Sequence, residues 1–390
     1  MTHRAASRTH GIEPFYVMEI VKEAQRLSEA GRPIVHLSIG EPDFTAPPPV
    51  QSAARRAIDA GLTQYTPALG TDALREAIAA DYGRRFGLAV EPERIVVTAG
   101  ASGALLLALA ALLERDRSVL MPDPSYPCNR HFAAVFEGRA HLLPCGPETR
   151  FQPTAEMIEG AWRADSAGVL LASPSNPTGT SIDAAVLAAI AKGVRARSGF
   201  LIVDEIYQGL SYEHEPWTAL SLGEDVLALA SFSKYFNMTG WRLGWLVAPR
   251  PLVPTLEKLA QNLFICPSAI AQHAALACFS PEALAIYEER REEFRRRRDF
   301  LVPALRAIGF QIPVVPDGAF YIYADISHFG VNSWDFAFEL LRETGVCLVP
   351  GRDFGVAQTA RYVRISYANK QENLREAINR LDRYLRGRHR

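Results

Sequence analysis

"FLIVDEIYQG" (residues 200–209) decides how the chain is built. Its first four residues are all apolar, and the run stops at Asp204. It is too short for a buried helix, and it does not alternate as a half-exposed strand would. A strand covered on both faces fits this pattern, and such strands belong to parallel sheets with helices on each side. Working outward, the same kind of run recurs at "RIVVTA" (94–99), "SVLMP" (118–122), "AHLLPC" (140–145), "GVLLAS" (168–173), "VLALAS" (226–231) and "RLGWLVA" (242–248). Helical patterns such as "SGALLLALAALLERD" (102–116) and "DAAVLAAIAKGVRARSG" (183–199) fill most of the gaps. The fold class predicted is α/β: a large domain over residues 46–284 with a seven-stranded, mostly parallel sheet sandwiched by helices.

The ends read differently. Residues 14–31 form one amphipathic pattern, a long helical pattern starts at 281, and strands are expected at "AFYIYADI" (319–326) and "YVRISYA" (362–368). A smaller α+β domain is therefore expected from both chain ends, residues 1–45 and 285–390.

Bulk properties narrow the function. A chain of 390 residues with a formal net charge of −1 carries no signature of nucleic-acid or anionic-membrane binding. No run of 18 apolar residues occurs, and "MTHRAASRTH" leads into no apolar signal core, so it is read as a frayed tail and the location as cytoplasmic. The five cysteines are odd in number and lack a CxxC pair, which suits free thiols and gives no metal site. "RREEFRRRRDF" (290–300) mixes signs at helical spacing and reads as a solvated helix face.

Open α/β sheets bind ligands at the carboxyl edge of their strands, and the unusual residues fall there. "GASGALLL" follows the strand at 94–99; a helix start with Ser102 suits a phosphate, or is an ordinary turn. "DPSYP" puts Tyr126 on a stiff loop, where it stacks on a ring or caps a core. "PSNPTGT" puts Asn176 between prolines, in a site or a turn. Asp204 ends an apolar strand, with Tyr207 after it; a carboxylate there needs a cation or strong donor, in a site or a structural ion pair. "SFSKYFNMTGWRLG" supplies Ser231, Ser233, Lys234 and Arg242 in an apolar setting. The chain has only five lysines, and Lys234 alone lies outside a helical or polar context. An ammonium desolvated near other cations becomes a nucleophilic amine, which a guanidinium does not. An anion cradle, a stacking ring, a lone carboxylate, a phenol, an amide and a lysine together match pyridoxal 5'-phosphate.

The ordered set "YTPALG", "TAGASGAL", "DPSYP", "SPSNPTGT", "VDEIYQGL" and "SFSKYFNMTGWRLG" resembles the fold-type-I, pyridoxal-phosphate-dependent class I/II aminotransferases over nearly the whole chain. The resemblance implies that Lys234 holds the cofactor covalently and that Asp204 pairs with its ring nitrogen. Tyr207 and Asn176 would bond the ring oxygen, and Tyr126 would stack on the ring. Ala101, Ser102, Ser231, Ser233 and Arg242 would bind the phosphate. Arg364 would clamp the substrate carboxylate, aided by Gly40 and Asn176. Tyr65 would reach the neighbouring active site of a homodimer. The implied activity is transfer of an amino group from an L-amino acid to a 2-oxo acid, with ping-pong kinetics.

Two departures matter. Asn237 stands where the family usually has glycine, at a position where Asn tolerates left-handed backbone. "LAQNLFICPSAIAQ" (259–272) has no arginine, and the helix after "TAGAS" has no cation before Arg115. A neutral amino donor, aliphatic or aromatic, is therefore expected, with Phe15, Tyr16, Phe264 and Ile265 in its pocket. Three alternatives stand beside this. One is an aspartate aminotransferase using another cation such as Arg130, and one is a C–S β-lyase on the same cofactor. The third, a non-catalytic regulator, is disfavoured because about a dozen residues precede "IEPFYVMEI", too few for a DNA-binding domain.

Overall fold

The computed structural model describes residues 4–388. The strands are β1 (Val35–His36), β2 (Ile95–Thr98), β3 (Ser118–Asp123), β4 (Arg139–Pro144), β5 (Ser166–Ala172), β6 (Phe200–Asp204), β7 (Leu227–Ser231), β8 (Gly244–Val247), β9 (Tyr321–Asp325), β10 (Val346–Cys347), β11 (Val349–Pro350) and β12 (Tyr362–Ser366). The helices that matter below are α1 (Val17–Glu29), α2 (Gly100–Leu112), α3 (Ala184–Ala196), α4 (Pro281–Ala307) and α5 (Ser333–Thr344).

The seven-stranded sheet runs in the order β2-β8-β7-β6-β5-β3-β4. All neighbours are parallel except β8, which is antiparallel to both β2 and β7. The continuous apolar runs have a clear cause. On β5, Leu170 packs on the α2 side with Leu105 and Leu109, while Val169 and Leu171 pack on the α3 side with Leu187 and Ile190. Both faces are core, so alternate residues serve different cores and no polar position remains.

A second group of strands combines the two chain ends. β11, β12 and β9 form an antiparallel sheet in that order. β1 pairs in parallel with β10, Val35 opposite Val346. Helix α1 buries Val17, Ile20, Ala24 and Leu27 in a cluster with Leu341 of α5, Val349 and Tyr362.

Local signals set the helix ends. Asp183 caps α3 by accepting from Ala185 N at 2.8 Å, and Ser280 caps α4 with Pro281 in its first turn.

Two expectations need correction, and three short strands escape any reading of the sequence. β1, β10 and β11 carry only two residues each, too few for any periodicity to announce them. The tail read as frayed forms a 3-10 turn at Ser7–Thr9, and Arg8 reaches Glu137 at 3.6 Å. Met1–His3 of that tail lie outside the described residues. The run 290–300 on α4 is not simply a solvated face. Arg297 and Arg298 are 4% and 5% exposed. Arg297 pairs with Asp43 at 2.7 Å, and Arg298 with Glu213 at 2.6 Å while donating to Pro316 O at 3.0 Å. Mixed charge spacing describes one helix and is blind to a carboxylate arriving from elsewhere in the chain.

Candidate active site

The topology gathers the expected residues at one sheet edge. β6 ends at Asp204 and β7 at Ser231, the first turn of α2 after β2 carries Ser102, and the loops after β3 and β5 carry Tyr126 and Asn176. Arg242 precedes β8, yet it arrives at the same edge because β8 runs the other way: Gly244 lies opposite both Thr98 and Ser231. One antiparallel strand thus brings a cation to the carboxyl edge from its own amino end.

A cavity of about 470 Å³ opens there. Its walls include Gly40, Ala101, Ser102, Tyr126, Asn176, Asp204, Tyr207, Ser231, Ser233, Lys234, Arg242 and Arg364. Of the residues expected to bind the cofactor or the substrate carboxylate, only Tyr65 stands apart; it is 84% exposed.

One end of the cavity is built to receive an anion. Gly100, at the start of α2, has φ +72°, and a Cβ there would lie 2.6 Å from Arg242 Nη2. Only glycine allows the guanidinium that close to the helix start. Arg242 itself has φ +54°, an uncommon conformation for a side chain of its size. Ser231 Oγ lies 2.9 Å from Ser233 Oγ and accepts from Ser233 N at 3.0 Å. Free helix N–H groups, two buried hydroxyls and a guanidinium form an array of donors.

Asp204 is 6% exposed. Its Oδ1 accepts from Ile206 N at 3.0 Å, and among the described residues no ion pair engages it. Burial pushes its carboxyl up to about 7, against smaller opposing effects from the Ile206 N–H and Lys234. This is a carboxylate without the cation that its position calls for.

Lys234 Nζ donates to Gly40 O at 2.6 Å. Burial pulls its ammonium down to about 8; Arg364 and Arg242 push the same way, while Glu41 and Asp204 oppose. The amine is thus partly neutral near physiological pH. Asn237 holds the lysine turn: its φ is +53°, its Nδ2 donates to Lys234 O at 2.9 Å, and its Oδ1 accepts from Arg290 at 2.6 Å. The amide does what a glycine cannot, which explains the departure at this position.

Arg364, on β12, is 5% exposed. It donates from Nη1 to Asn176 Oδ1 at 3.0 Å and from Nη2 to Ser38 O at 2.7 Å, and its buried Nε has no partner. Its guanidinium lies 4.5 Å from the centre of the Tyr321 ring and 5.0 Å from that of Phe354. Tyr207 Oη and Tyr321 Oη are 2.8 Å apart, and burial raises both phenols. No motif in the sequence marks Ser38, Tyr321 or Phe354 as site residues. "AFYIYADI" reads as a strand and so offers Tyr321 a signal, but the side its phenol takes depends on the register between β9 and β12.

The expected substrate wall is only partly right. Phe15 lines the cavity. Tyr16 packs edge-on against Trp334, Phe264 joins the core beside α2, and Ile265 is 53% exposed. The apolar wall comes instead from Phe15, Val17, Met18, Val21, Ile39 and Leu105. The start of α1 thus forms part of the cavity wall; the sequence marks 14–31 as an amphipathic helix, but not what its buried face packs against. Arg130 does not line the cavity; it faces Glu13 at 3.6 Å and Asp353 O at 3.4 Å.

Comparison with known proteins agrees with this geometry. Residues 32–381 match the family "Aminotransferase class I and II". The valine–pyruvate aminotransferase of Mycobacterium tuberculosis is 42% identical over 387 residues, 99% of each chain. An aspartate aminotransferase of Pyrococcus horikoshii is 34% identical over 387 residues, covering 98% of this chain and 97% of its own. A crystal structure of an aminotransferase from M. tuberculosis superposes with a TM-score of 0.95 at 42% identity, covering 99% of this chain and all of that one. A cavity with one buried lysine, one unpaired carboxylate and a donor array, in a chain matched end to end by these enzymes, identifies a pyridoxal-phosphate-dependent amino-acid aminotransferase of the class I and II family.

Proposed function

We propose that the amino donor is a neutral L-amino acid, aliphatic or aromatic, and that the acceptor is pyruvate or 2-oxoglutarate. The observation that carries this is the charge inventory of the cavity. Among the described residues, Lys234, Arg242 and Arg364 are its only cations, and the remaining wall toward α1 is apolar. Each of the three has a task, so this chain leaves no cation for a second carboxylate, which favours pyruvate over 2-oxoglutarate among the acceptors. The valine–pyruvate enzyme of M. tuberculosis, at 42% identity, supports the same reading.

The residues present fit the cofactor. Gly100, Ala101, Ser102, Ser231, Ser233 and Arg242 would hold its phosphate, and the unpaired Asp204 would face its ring nitrogen. Tyr126 would cover the ring, and Tyr207 and Asn176 would bond the ring oxygen. When bound, pyridoxal phosphate supplies a carbonyl that takes up the amino group and a ring that accepts the electron pair left at Cα. The chain does the rest. Asp204 would accept a hydrogen bond from a protonated ring nitrogen, which would give its buried carboxylate the cationic partner it lacks. Arg364 holds the substrate carboxylate with a planar fork already oriented by Asn176 and Ser38. Lys234 Nζ, with its lowered pKa, would take the proton from the donor Cα and deliver it to the cofactor carbon that has taken up the amino group, and would carry it the opposite way when the oxo acid is the substrate. Two substrates use one site in turn, so kinetics are ping-pong.

The protein is read as a cytoplasmic homodimer, with domain boundaries at 1–45, 46–284 and 285–390. Tyr65, with Leu62 45% and Leu263 54% exposed, offers apolar surface for the second subunit, whose site Tyr65 would complete.

A steady-state panel of amino donors against both acceptors tests the substrate reading. Valine, leucine and phenylalanine are expected to match or exceed aspartate in kcat/KM. A hundredfold or greater preference for aspartate, about 2.7 kcal/mol, would overturn it.

A further inference from the structure

Helix α1 has no cap of its own, because Tyr16 at its N-cap position offers no side-chain bond to the first turn. A residue distant in sequence takes that role. Tyr16 N donates to Asp353 Oδ1 at 2.8 Å, and Val17 N to Asp353 Oδ2 at 2.6 Å. Asp353 is 1% exposed and lies in the turn Gly351–Phe354 that follows β11. A carboxylate spending both oxygens on the first N–H groups of a helix satisfies orphan donors and complements the helix dipole.

The surroundings strengthen the clasp. The Arg352 guanidinium sits 4.4 Å from the Tyr16 ring centre and donates to Tyr16 Oη at 3.3 Å. Phe354 lies against Arg364, and its carbonyl accepts from Ser125 N at 2.8 Å, next to Tyr126. One short turn thus touches the start of α1, the substrate-side arginine and the loop of the stacking tyrosine. On its other side, the start of α1 supplies Phe15, Val17, Met18 and Val21 to the cavity.

We propose that Asp353 is the positioning residue that sets side-chain selection by fixing the first turn of α1 as the apolar wall of the substrate cavity. It does so through Val17 and its neighbours and lines no part of the cavity itself. A donor with a long apolar side chain depends on that wall, whereas alanine, with a single methyl, depends on it little. This consequence rests on the neutral-donor reading above.

The test uses holoenzyme with Asp353→Ala and Asp353→Asn. With leucine or valine as donor, kcat/KM is expected to fall tenfold or more in Asp353→Ala, nearly all of it through KM. With alanine the loss is expected to stay under threefold, and visible cofactor absorbance per subunit is unchanged. Amide hydrogen exchange at residues 17–21 is expected to speed up at least tenfold, with Asp353→Asn intermediate because its amide accepts at one oxygen only. If Asp353→Ala does not fold, Asp353→Asn and Arg352→Ala give the same comparison. Equal losses for alanine and leucine, or unchanged exchange at 17–21, would overturn the proposal. A wild-type preference for aspartate would defeat the donor reading alone, and the exchange measurement would still decide whether Asp353 holds α1.

Discussion

Replacing Asp204 by Asn is expected to stabilise the cofactor-free protein while disabling the enzyme. In the cofactor-free fold the carboxyl is buried and meets one backbone N–H, and burial raises it from 3.8 to about 7. The folded protein therefore keeps this proton until near pH 7, while the unfolded chain releases it near pH 4. Between those values the folded state binds more protons, so stability falls as pH rises, and above pH 7 the loss is complete. From pH 5 to pH 7 the span is about two units, or about 3 kcal/mol at 1.4 kcal/mol per unit. Glu205 is also buried and raised to about 7, so it adds a similar fall to both proteins. The informative quantity is the difference between them. Equilibrium urea unfolding of cofactor-free wild type and Asp204→Asn should show a gap that widens by about 3 kcal/mol from pH 5 to pH 8 in favour of the variant. Parallel stability curves would refute the claim that Asp204 bears an unpaired buried charge. With cofactor restored the order should reverse, and turnover should fall by orders of magnitude. A loss under about tenfold, or 1.4 kcal/mol, would return Asp204 to a structural role.

Gly100→Ala is expected to weaken cofactor binding about tenfold or more, because its Cβ would meet Arg242 Nη2 at 2.6 Å and φ is +72°; fluorescence titration of cofactor into the stripped protein measures this. Arg364→Lys keeps the charge but loses the fork shared with Asn176 and Ser38. One lost charge-assisted hydrogen bond is worth about 1.5–3 kcal/mol, so KM for amino donors should rise roughly tenfold to a hundredfold, with visible absorbance retained.

Most of the sheet was legible because each central strand buries both faces, and a run such as Phe200–Asp204 has no other comfortable state. The cofactor-facing residues were legible for the same reason, since Asp204 and Lys234 break an apolar context that would otherwise continue. What stayed hidden depends on contacts across the chain. Arg297 looks solvated until Asp43 is brought to it, 254 residues away. Phe264 and Ile265 look like pocket residues by their chemistry, but within the chain they face a core and solvent. The true wall comes from α1, whose placement is set by Asp353, 336 residues beyond Val17. Periodicity names the face of a helix that is buried, and it does not name what that face is buried against.

The most direct measurement is a single half-reaction. Holoenzyme is mixed with excess valine and no oxo acid, and the visible spectrum, 2-oxo acid and ammonia are followed together. Transfer through Lys234 to the bound cofactor predicts one spectral conversion, about one equivalent of 2-oxo acid per site, no ammonia, recovery on adding pyruvate, and none of these in Lys234→Ala. Sustained ammonia release without an acceptor, or wild-type behaviour in Lys234→Ala, would contradict the account.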